Sequence, residues 1–309
     1  VYVVDSLGYE SNRASLSVET KNPVLLADYI KGLYTSQGSN DIYYHTSSLT
    51  NSAGDNSYRY SGANPNNYVC FGSDAIPCPS DNLYRIIGVF GNEVKLIKAD
   101  YTTTSQTGSS GAYYDDYQSS LGTSSNYKGN MSQSQVATYY WNNSTNNNTW
   151  SQSNLNTANL NTTYLNSLGS TWRNKIASHT WYVGGHSTFD VTVKEFYNAE
   201  SSGRTWSGKI GLMYVSDYGY AASNNYWTTN MNSYNSASGS NWMYMGLYEW
   251  TISRDSSVSY RAFRVNDSGF VGCYLVSGGN GAVRPCFYLI SSTTYVSGSG
   301  AQSDPILIQ

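Results

Sequence analysis

The fold class is decided by residues 82–98, which read Asn82-Leu-Tyr-Arg-Ile-Ile-Gly-Val-Phe-Gly-Asn-Glu-Val-Lys-Leu-Ile-Lys98. Two runs rich in β-branched and aromatic residues flank the pair Gly91-Asn92. A Gly-containing pair between two such runs is a strong sign of a β-hairpin. The stretch therefore predicts two antiparallel strands, at 83–90 and 93–98.

On both sides of this hairpin in the sequence, short apolar runs are separated by Gly, Asn, Asp and Ser residues that are typical of turns. Runs without helical spacing predict strands at 209–215, 260–265, 269–276 and 283–289, and an aromatic, apolar run covers 242–252. Apolar residues at helical spacing, with Asn22 and Pro23 suited to a helix start, predict helices at 22–34, 154–168 and 193–200. Residues 35–66 and 101–150 are polar and aperiodic, so we expect loops there. This order of elements predicts the α+β class.

The composition excludes several classes of protein. The 309 residues include 31 Tyr, only 12% are charged, and the net charge is −3. Such a charge balance provides no excess of positive charge for binding nucleic acid. The aromatic content argues against a disordered chain. No apolar run is long enough for a membrane-spanning helix. Tyr with Ser, Asn and Gly is instead typical of binding loops, and part of the core must be built from Tyr.

Cysteine use points to an oxidising compartment. Cys70 and Cys78 flank a short loop that a disulfide closes easily, so we expect this pair to be bonded. For Cys273 and Cys286, pairing across adjacent strands and two free thiols both remain open. The chain starts at Val1 rather than Met, so we expect an upstream segment: a signal peptide, a membrane anchor or an arbitrary cut. We therefore predict an extracellular or cell-surface protein.

Motifs for catalysis are missing from the sequence. His45, His179 and His186 have no metal-ligand spacing, and there is no nucleophile elbow, phosphate loop or dinucleotide fingerprint. Asp217 is expected to cap a turn and Glu249 to hydrogen-bond in the core, while Asp115-Asp116 is expected in a solvated loop. We predict no enzyme activity, no cofactor and no metal site. A remote alternative is a glycan hydrolase that uses Asp217 and Glu249 as its carboxylate pair.

Residues 253–284 hold the best candidate for a binding site. An apolar frame of Val265, Gly269, Val271, Val276 and Val283 alternates with a polar and aromatic set. The candidate ligand-binding residues are Ser256, Ser257, Ser259, Tyr260, Arg264, Asn266, Asp267, Phe270, Tyr274 and Asn280. A β-surface that presents such side chains is suited to recognition. An ordinary half-exposed hairpin, with Tyr for its β-propensity, explains the pattern equally well.

Seven segments together resemble a largely uncharacterised family of secreted or surface proteins of gut bacteria. They are Tyr68-Val-Cys-Phe-Gly-Ser73, the run 82–90, Trp150-Ser-Gln-Ser-Asn-Leu155, Lys209-Ile-Gly-Leu-Met-Tyr-Val-Ser-Asp-Tyr-Gly-Tyr-Ala221, Trp242-Met-Tyr-Met-Gly246, Glu249-Trp-Thr-Ile-Ser253 and Val283-Arg-Pro-Cys-Phe-Tyr-Leu289. The resemblance covers about residues 60–309. That family resembles C-type-lectin-like modules and, in its last hundred residues, the variable proteins of diversity-generating retroelements.

The resemblance implies a C-type-lectin-like domain with mixed antiparallel strands, short helices and long irregular loops. It implies that the mixed set in 256–280 is a diversified ligand-binding face, and that Trp250, Ile252 and Arg284-Pro285 are scaffold. Cys273 lies in this variable stretch, which argues against its pairing with Cys286. The calcium-binding motifs of sugar-binding C-type lectins are absent from the sequence, so calcium-dependent sugar recognition is not implied.

We therefore predict an N-terminal extension at 1–60, with a strand-like tether and one helix, followed by a binding domain at 61–309. The first hypothesis is a surface-displayed binding protein whose partners are protein or glycan ligands. The alternative is a self-associating subunit of an extracellular filament or surface layer, because the apolar patch 1–4 could complete a neighbour's sheet.

Overall fold

A computed structural model describes residues 4, 6–9, 22–114, 121–122, 124–278 and 280–309 of the chain, so the patch 1–4, except for Val4, and Asp115-Asp116 lie outside the described residues. The strands are β1 Val24–Leu25, β2 Ile42–Tyr44, β3 Tyr58–Tyr60, β4 Tyr68–Cys70, β5 Leu83–Phe90, β6 Glu93–Lys98, β7 Tyr113–Tyr114, β8 Thr138–Tyr139, β9 His179–Tyr182, β10 Thr205–Gly208, β11 Ile210–Gly211, β12 Glu249–Arg254, β13 Arg261–Val265, β14 Val271–Leu275, β15 Cys286–Tyr288, β16 Thr294–Ser297 and β17 Leu307–Ile308.

The helices are short and lie between these strands. The α-helices are α1 Leu26–Leu33, α2 Thr104–Thr107, α3 Leu165–Ser167, α4 Gly169–Arg173, α5 Val193–Glu200 and α6 Val215–Tyr220. A π-helix covers Leu155–Tyr164, and 3-10 turns cover Ser39–Asp41, Ser80–Asn82, Ser124–Asn126, Gln133–Gln135, Trp150–Gln152, Asn224–Tyr226 and Met231–Ser240. The fold is thus α+β with mostly antiparallel strands, as the sequence predicts. Among the described residues, no helix is both long and apolar enough to cross a bilayer.

The predicted hairpin β5–β6 lies at the centre of the main sheet. On one side, β6 pairs with β15, and β15 pairs with β11. The other edge of β5 is divided: β4 pairs with its first half and β3 with its second half. Beyond β3 lies β2, and beyond β4 the sheet continues through a bridge from Val69 to Ile306 into β17, β16 and β1. The hairpin prediction is confirmed, and β5 is the strand from which the sheet forks.

Gly88 permits this fork because it brings two backbones close together. A Cβ at this position would overlap the carbonyl oxygen of Tyr58 on β3. The β5–β6 pairing also has an irregular register between Ile86 and Gly88. A glycine inside a strand often marks such a close approach or bulge.

A separate antiparallel sheet of three strands, in the order β12-β13-β14, is built from the predicted strands of the C-terminal third. Arg264 on β13 lies opposite Gly272 on β14, and Ala262 lies opposite Tyr274. Because directly opposite residues share a face and side chains alternate along a strand, Phe270, Gly272 and Tyr274 follow one face of this sheet. The predicted strand 283–289 leaves this region, and its central part, β15, joins the main sheet.

Several predictions made from the sequence differ from the observed elements. Residues 35–66 contain β2 and β3 rather than only loop, and the expected domain boundary at residue 60 coincides with the end of β3 inside the main sheet. The run 209–215 forms only the two-residue β11, after which α6 begins. Residues 155–164 wind as a π-helix rather than an α-helix. In each case, tertiary contacts override a local preference.

Tryptophan and tyrosine supply much of the core, as the composition requires. Five Trp and six Tyr are among the largest fully buried side chains: Trp141, Trp150, Trp181, Trp227, Trp250, Tyr60, Tyr84, Tyr101, Tyr139, Tyr164 and Tyr218. Many of their polar atoms are paired, for example Trp141 Nε1 with the Thr251 carbonyl at 2.9 Å and Trp250 Nε1 with the Tyr139 carbonyl at 2.8 Å. These bonds fix the ring orientations, since a buried N–H without an acceptor is costly.

A buried ion cluster joins the main sheet to α6. The Asp217 carboxylate contacts Lys95 Nζ of β6 at 2.5 Å and Arg59 Nη1 of β3 at 3.5 Å. It also accepts a hydrogen bond from the Tyr214 backbone N–H at 2.9 Å, which caps α6 and confirms the predicted capping role. The Lys95 ammonium lies 4.0 Å from the ring centre of Tyr214 and 5.1 Å from that of Trp181. One carboxylate thus fixes two strands and one helix start.

We expect Asp217→Asn to lower the free energy of unfolding by about 3–5 kcal/mol, because it leaves the Lys95 charge buried without its carboxylate partner, while Arg59 keeps its ion pair with Asp55. The asparagine side-chain oxygen can still accept the hydrogen bond that caps α6, so the loss of stability measures the effect of removing the negative charge. The control is Glu93→Gln, which breaks the partly exposed pair with His179 and should cost at most about 1 kcal/mol. Urea denaturation measures both, and equal losses would contradict the assignment.

Candidate functional site

The face of the β12–β14 sheet that carries Tyr248, Arg264, Phe270, Gly272 and Tyr274 is here called the tyrosine face. Tyr248 immediately precedes β12, and the other four residues lie on β13, on β14 or next to β14. The sequence predicts Arg264, Phe270 and Tyr274 as binding residues. The register of the three strands places them beside each other.

Arg264 is clamped between two tyrosine rings. Its guanidinium carbon lies 3.3 Å from the ring centre of Tyr274 and 4.0 Å from that of Tyr248, and these two rings are stacked 6.5 Å apart. Its Nη1 donates to the Asn280 carbonyl at 2.6 Å. Burial lowers the pKa of Arg264, while the aromatic groups oppose this shift. A guanidinium stacked on both sides immobilises the two rings.

Of the ten predicted binding residues, four are exposed, four are half-buried and two are buried. Tyr274 is 38% exposed, and Ser256, Ser257 and Ser259 are exposed in the loop between β12 and β13. Tyr260, Asp267, Phe270 and Asn280 are half-buried. Leu275, which was not among the ten, is 48% exposed next to Tyr274. A ligand on the tyrosine face would therefore meet Tyr274 and the half-buried rings, whereas Leu275, the next residue of β14, lies on the opposite face of the sheet.

The structure gives Arg264 and Asn266 a different place from the one expected. Both are buried, at 3% exposure, so they do not offer their side chains to a ligand at the surface. Arg264 instead supports Tyr248 and Tyr274. The Asn266 backbone closes the β13–β14 turn by accepting from the Gly269 N–H at 2.9 Å. These two are positioning residues of the tyrosine face.

The predicted binding residues do not all lie in one contiguous site. The serine loop and Tyr260 lie at one end of β13, while Asp267 and Phe270 lie at the other end. Five strand residues separate the two ends, which corresponds to roughly 17 Å. The apolar frame is confirmed, because Val265, Val271, Val276 and Val283 are all buried. The candidate surface is thus a strip along one sheet rather than a pocket.

The cysteine predictions are resolved by the structure. Cys70 and Cys78 form a disulfide with a Cα–Cα distance of 5.9 Å, as predicted. Cys273 is a half-buried free thiol on β14, and Cys286 is a buried free thiol on β15. These strands belong to different sheets, which explains why the two thiols do not pair.

Asp217 and Glu249, the pair of the hydrolase alternative, are each held by different cations. Both are only 2% exposed. Glu249 accepts from Arg284 Nε at 2.8 Å and Nη2 at 3.0 Å, which confirms the predicted core hydrogen bond. Asp217 is paired with Lys95 and Arg59. Among the described residues, no group of three or more His, Cys, Asp or Glu side chains is arranged to hold a metal ion.

Glu200 is a buried carboxyl that the sequence did not single out. It accepts from the backbone N–H groups of Val215 at 2.9 Å and Ser216 at 3.3 Å, and from the Ser253 hydroxyl. Burial raises the pKa of Glu200 to about 7, while the hydrogen bonds from Ser216 and Ser253 oppose this shift. Its sequence signal is weak, because it lies at the end of α5, far along the chain from Ser253.

Comparisons of the chain with protein-family models, with curated proteins and with solved structures found no match.

We expect the stabilising contribution of Glu200 to be lost as the pH rises from about 4.5 to 7, whereas the buried His45, whose pKa burial lowers, contributes in the opposite direction. Because the folded-state pKa of Glu200 is raised, folding takes up a proton in this window, and the contribution is lost as the carboxyl ionises. The slope from this single group is at most about 1.4 kcal/mol per pH unit. Glu200→Gln should remove this contribution, so that its stability rises relative to that of the wild type as the pH increases, whereas the exposed Glu195→Gln should not show this change. Urea midpoints at pH 5, 6, 7 and 8 measure this, and parallel curves for wild type and Glu200→Gln would refute it.

Proposed function

We propose that this is an extracellular or surface-displayed binding protein with a C-type-lectin-like fold, whose tyrosine face contacts a protein or glycan ligand. The proposal needs no chemical step, no cofactor and no metal. In it, the aromatic side chains supply contact area, and the Ser and Asn groups of the flanking loops supply adaptable hydrogen bonds.

The observation that carries the proposal is the clamp of Arg264 by Tyr248 and Tyr274. Ordering flexible side chains is one of the costs of binding, and rings that are held before the ligand arrives avoid it. The clamp holds Tyr274 in place although 38% of it is exposed.

The division between frame and surface supports a diversified face. The frame valines are buried, whereas Ser256, Ser257, Ser259 and Tyr274 are exposed. Substitutions at exposed positions change the surface at little cost in stability. The Cys70–Cys78 disulfide supports the extracellular location, because such bonds persist in oxidising compartments.

A filament or surface-layer subunit is the second candidate, favoured by one observation. Val24 and Leu25 on β1 and Val296 on β16 are exposed apolar residues on one small sheet, and Val296 is 53% exposed. Apolar side chains beside a sheet edge suit the addition of a strand from a neighbour. Concentration-dependent polymers in sedimentation runs, abolished by Val24→Lys and Val296→Lys, would establish self-association. A monomer at all concentrations would exclude it.

We expect Tyr248→Ala/Tyr274→Ala to weaken ligand binding at least tenfold, because it removes both rings of the clamp. The control is Tyr182→Ala, which removes an equally exposed tyrosine from β9. The measurement is binding to a glycan array and to immobilised mucin and extracellular-matrix proteins. Ligands that are retained by the double variant, or lost equally in the control, would contradict the placement. A wild-type protein that binds none of these probes would count against the function itself.

A further inference from the structure

Two adjoining cavities form a cleft in the region whose long polar loops have no role in the proposed function. Their volumes are about 180 and 440 Å³, and both are lined by Asp81 and Met131. Together they reach the size range of small-ligand sites. The walls come from the start of β5, from α2 and from residues 128–138. This space is here called the polar cleft.

Uncharged polar side chains predominate in the lining of the polar cleft. They include Ser80, Ser105, Ser134, Asn130, Gln135 and Gln302. Two carboxylates, Asp81 and Asp100, are balanced by two cations, Arg85 and Lys128. The charge balance favours a neutral ligand, and hydroxyl and amide groups offer both donors and acceptors.

One carboxylate holds the loop wall of the cleft in place. Asp100 accepts from the backbone N–H groups of Asn130 at 2.8 Å and Met131 at 3.4 Å, and from the Tyr127 hydroxyl at 2.6 Å. Its carboxylate also accepts from the Tyr101 backbone N–H at 2.8 Å. A low-complexity loop with several bonds to one carboxylate is fixed before a ligand arrives.

Capping boxes fix two further parts of the lining. The side chain of Thr103 pairs with the backbone of Gln106 at the start of α2, and that of Ser132 pairs with Gln135 at the start of the 3-10 turn 133–135. In each box, the glutamine side-chain oxygen accepts a hydrogen bond from the backbone N–H of the capping residue. Serine and threonine thus stay at defined positions along the cleft.

An aromatic ring and two methionines give the cleft its apolar surface. The Tyr68 ring lies 4.4 Å from the guanidinium carbon of Arg85, which also lies 4.6 Å from the ring centre of Trp242. This stacking keeps Tyr68 in one orientation. Met131 and Met245 line the same cavity. A ligand with apolar C–H faces and a rim of hydroxyl groups matches such a lining.

We propose that the polar cleft binds a neutral glycan chain, at a site separate from the tyrosine face. Sugar rings combine C–H faces that pack on an aromatic ring with hydroxyls that both donate and accept. The balanced charges argue against a phosphorylated or acidic saccharide. This proposal does not depend on whether the tyrosine face binds a ligand of its own.

The test is an array of neutral gluco-, manno-, xylo- and galacto-oligosaccharides, with polygalacturonate, heparin and a peptide library as competing classes. The best neutral oligosaccharide is then titrated by calorimetry. We expect Asn130→Ala and Gln302→Ala each to weaken its binding roughly tenfold through lost hydrogen bonds. The matched control Asn235→Ala changes an exposed asparagine of the turn 231–240 and should leave binding unchanged.

Each other outcome overturns the proposal. It fails if the wild type binds none of the neutral oligosaccharides at millimolar concentration, or if an acidic saccharide or a peptide is preferred. It also fails if Asn130→Ala and Gln302→Ala bind as well as the control. Binding that is lost in Tyr248→Ala/Tyr274→Ala but kept in the cleft variants would assign the glycan to the tyrosine face. In that case the proposed function survives and the polar cleft does not bind glycan.

Discussion

The buried Lys95 ammonium and the Asp217 carboxylate that pairs with it link a central strand of the main sheet to the start of α6. Lys95 is completely buried on a central strand, so its charge is tolerable only beside a carboxylate and within a ring of aromatic faces. Asp217 can take that place only if α6 starts at Val215, because the same carboxylate caps that helix. The position of α6 then brings the backbone N–H groups of Val215 and Ser216 to Glu200, and thereby fixes the end of α5. One charge in a strand therefore determines the arrangement of two helices.

Few residues of this chain are charged, and several of its cations are buried. Arg59, Lys95, Arg85, Arg264 and Arg284 are all buried, and each is held by carboxylates, carbonyls or aromatic rings. Cations thus serve as internal connectors between tyrosine and tryptophan rings. The tyrosines serve two purposes, since some complete the core and others are presented at the surface by the cations beneath them. Composition alone does not separate these purposes, because it counts the tyrosines without their positions in the fold.

The sequence predicted the elements whose signals are local. The hairpin β5–β6, the helix Val193–Glu200, the Cys70–Cys78 disulfide and the buried frame of residues 253–284 all follow from neighbouring residues. Prediction failed where distant partners decide. The short strand β3 forms by pairing with β5, and β2 in turn pairs with β3. Arg264 is buried because Tyr248, which lies outside the β13–β14 hairpin, covers it. The polar cleft was missed for the same reason, since its walls come from segments as distant as Tyr68 and Gln302.

The forked sheet brings the start of the segment 22–309 close to its last residue. Val24 pairs with Tyr295, and Gln309 exchanges two backbone hydrogen bonds with Thr294, so the first and last strands are separated by a single strand. Strand spacing then puts them within roughly 10 Å of each other. The segment 22–309 thus begins and ends at the same side of this small sheet. Such a unit can be inserted into a host loop, repeated in tandem or exchanged between proteins without rethreading its interior.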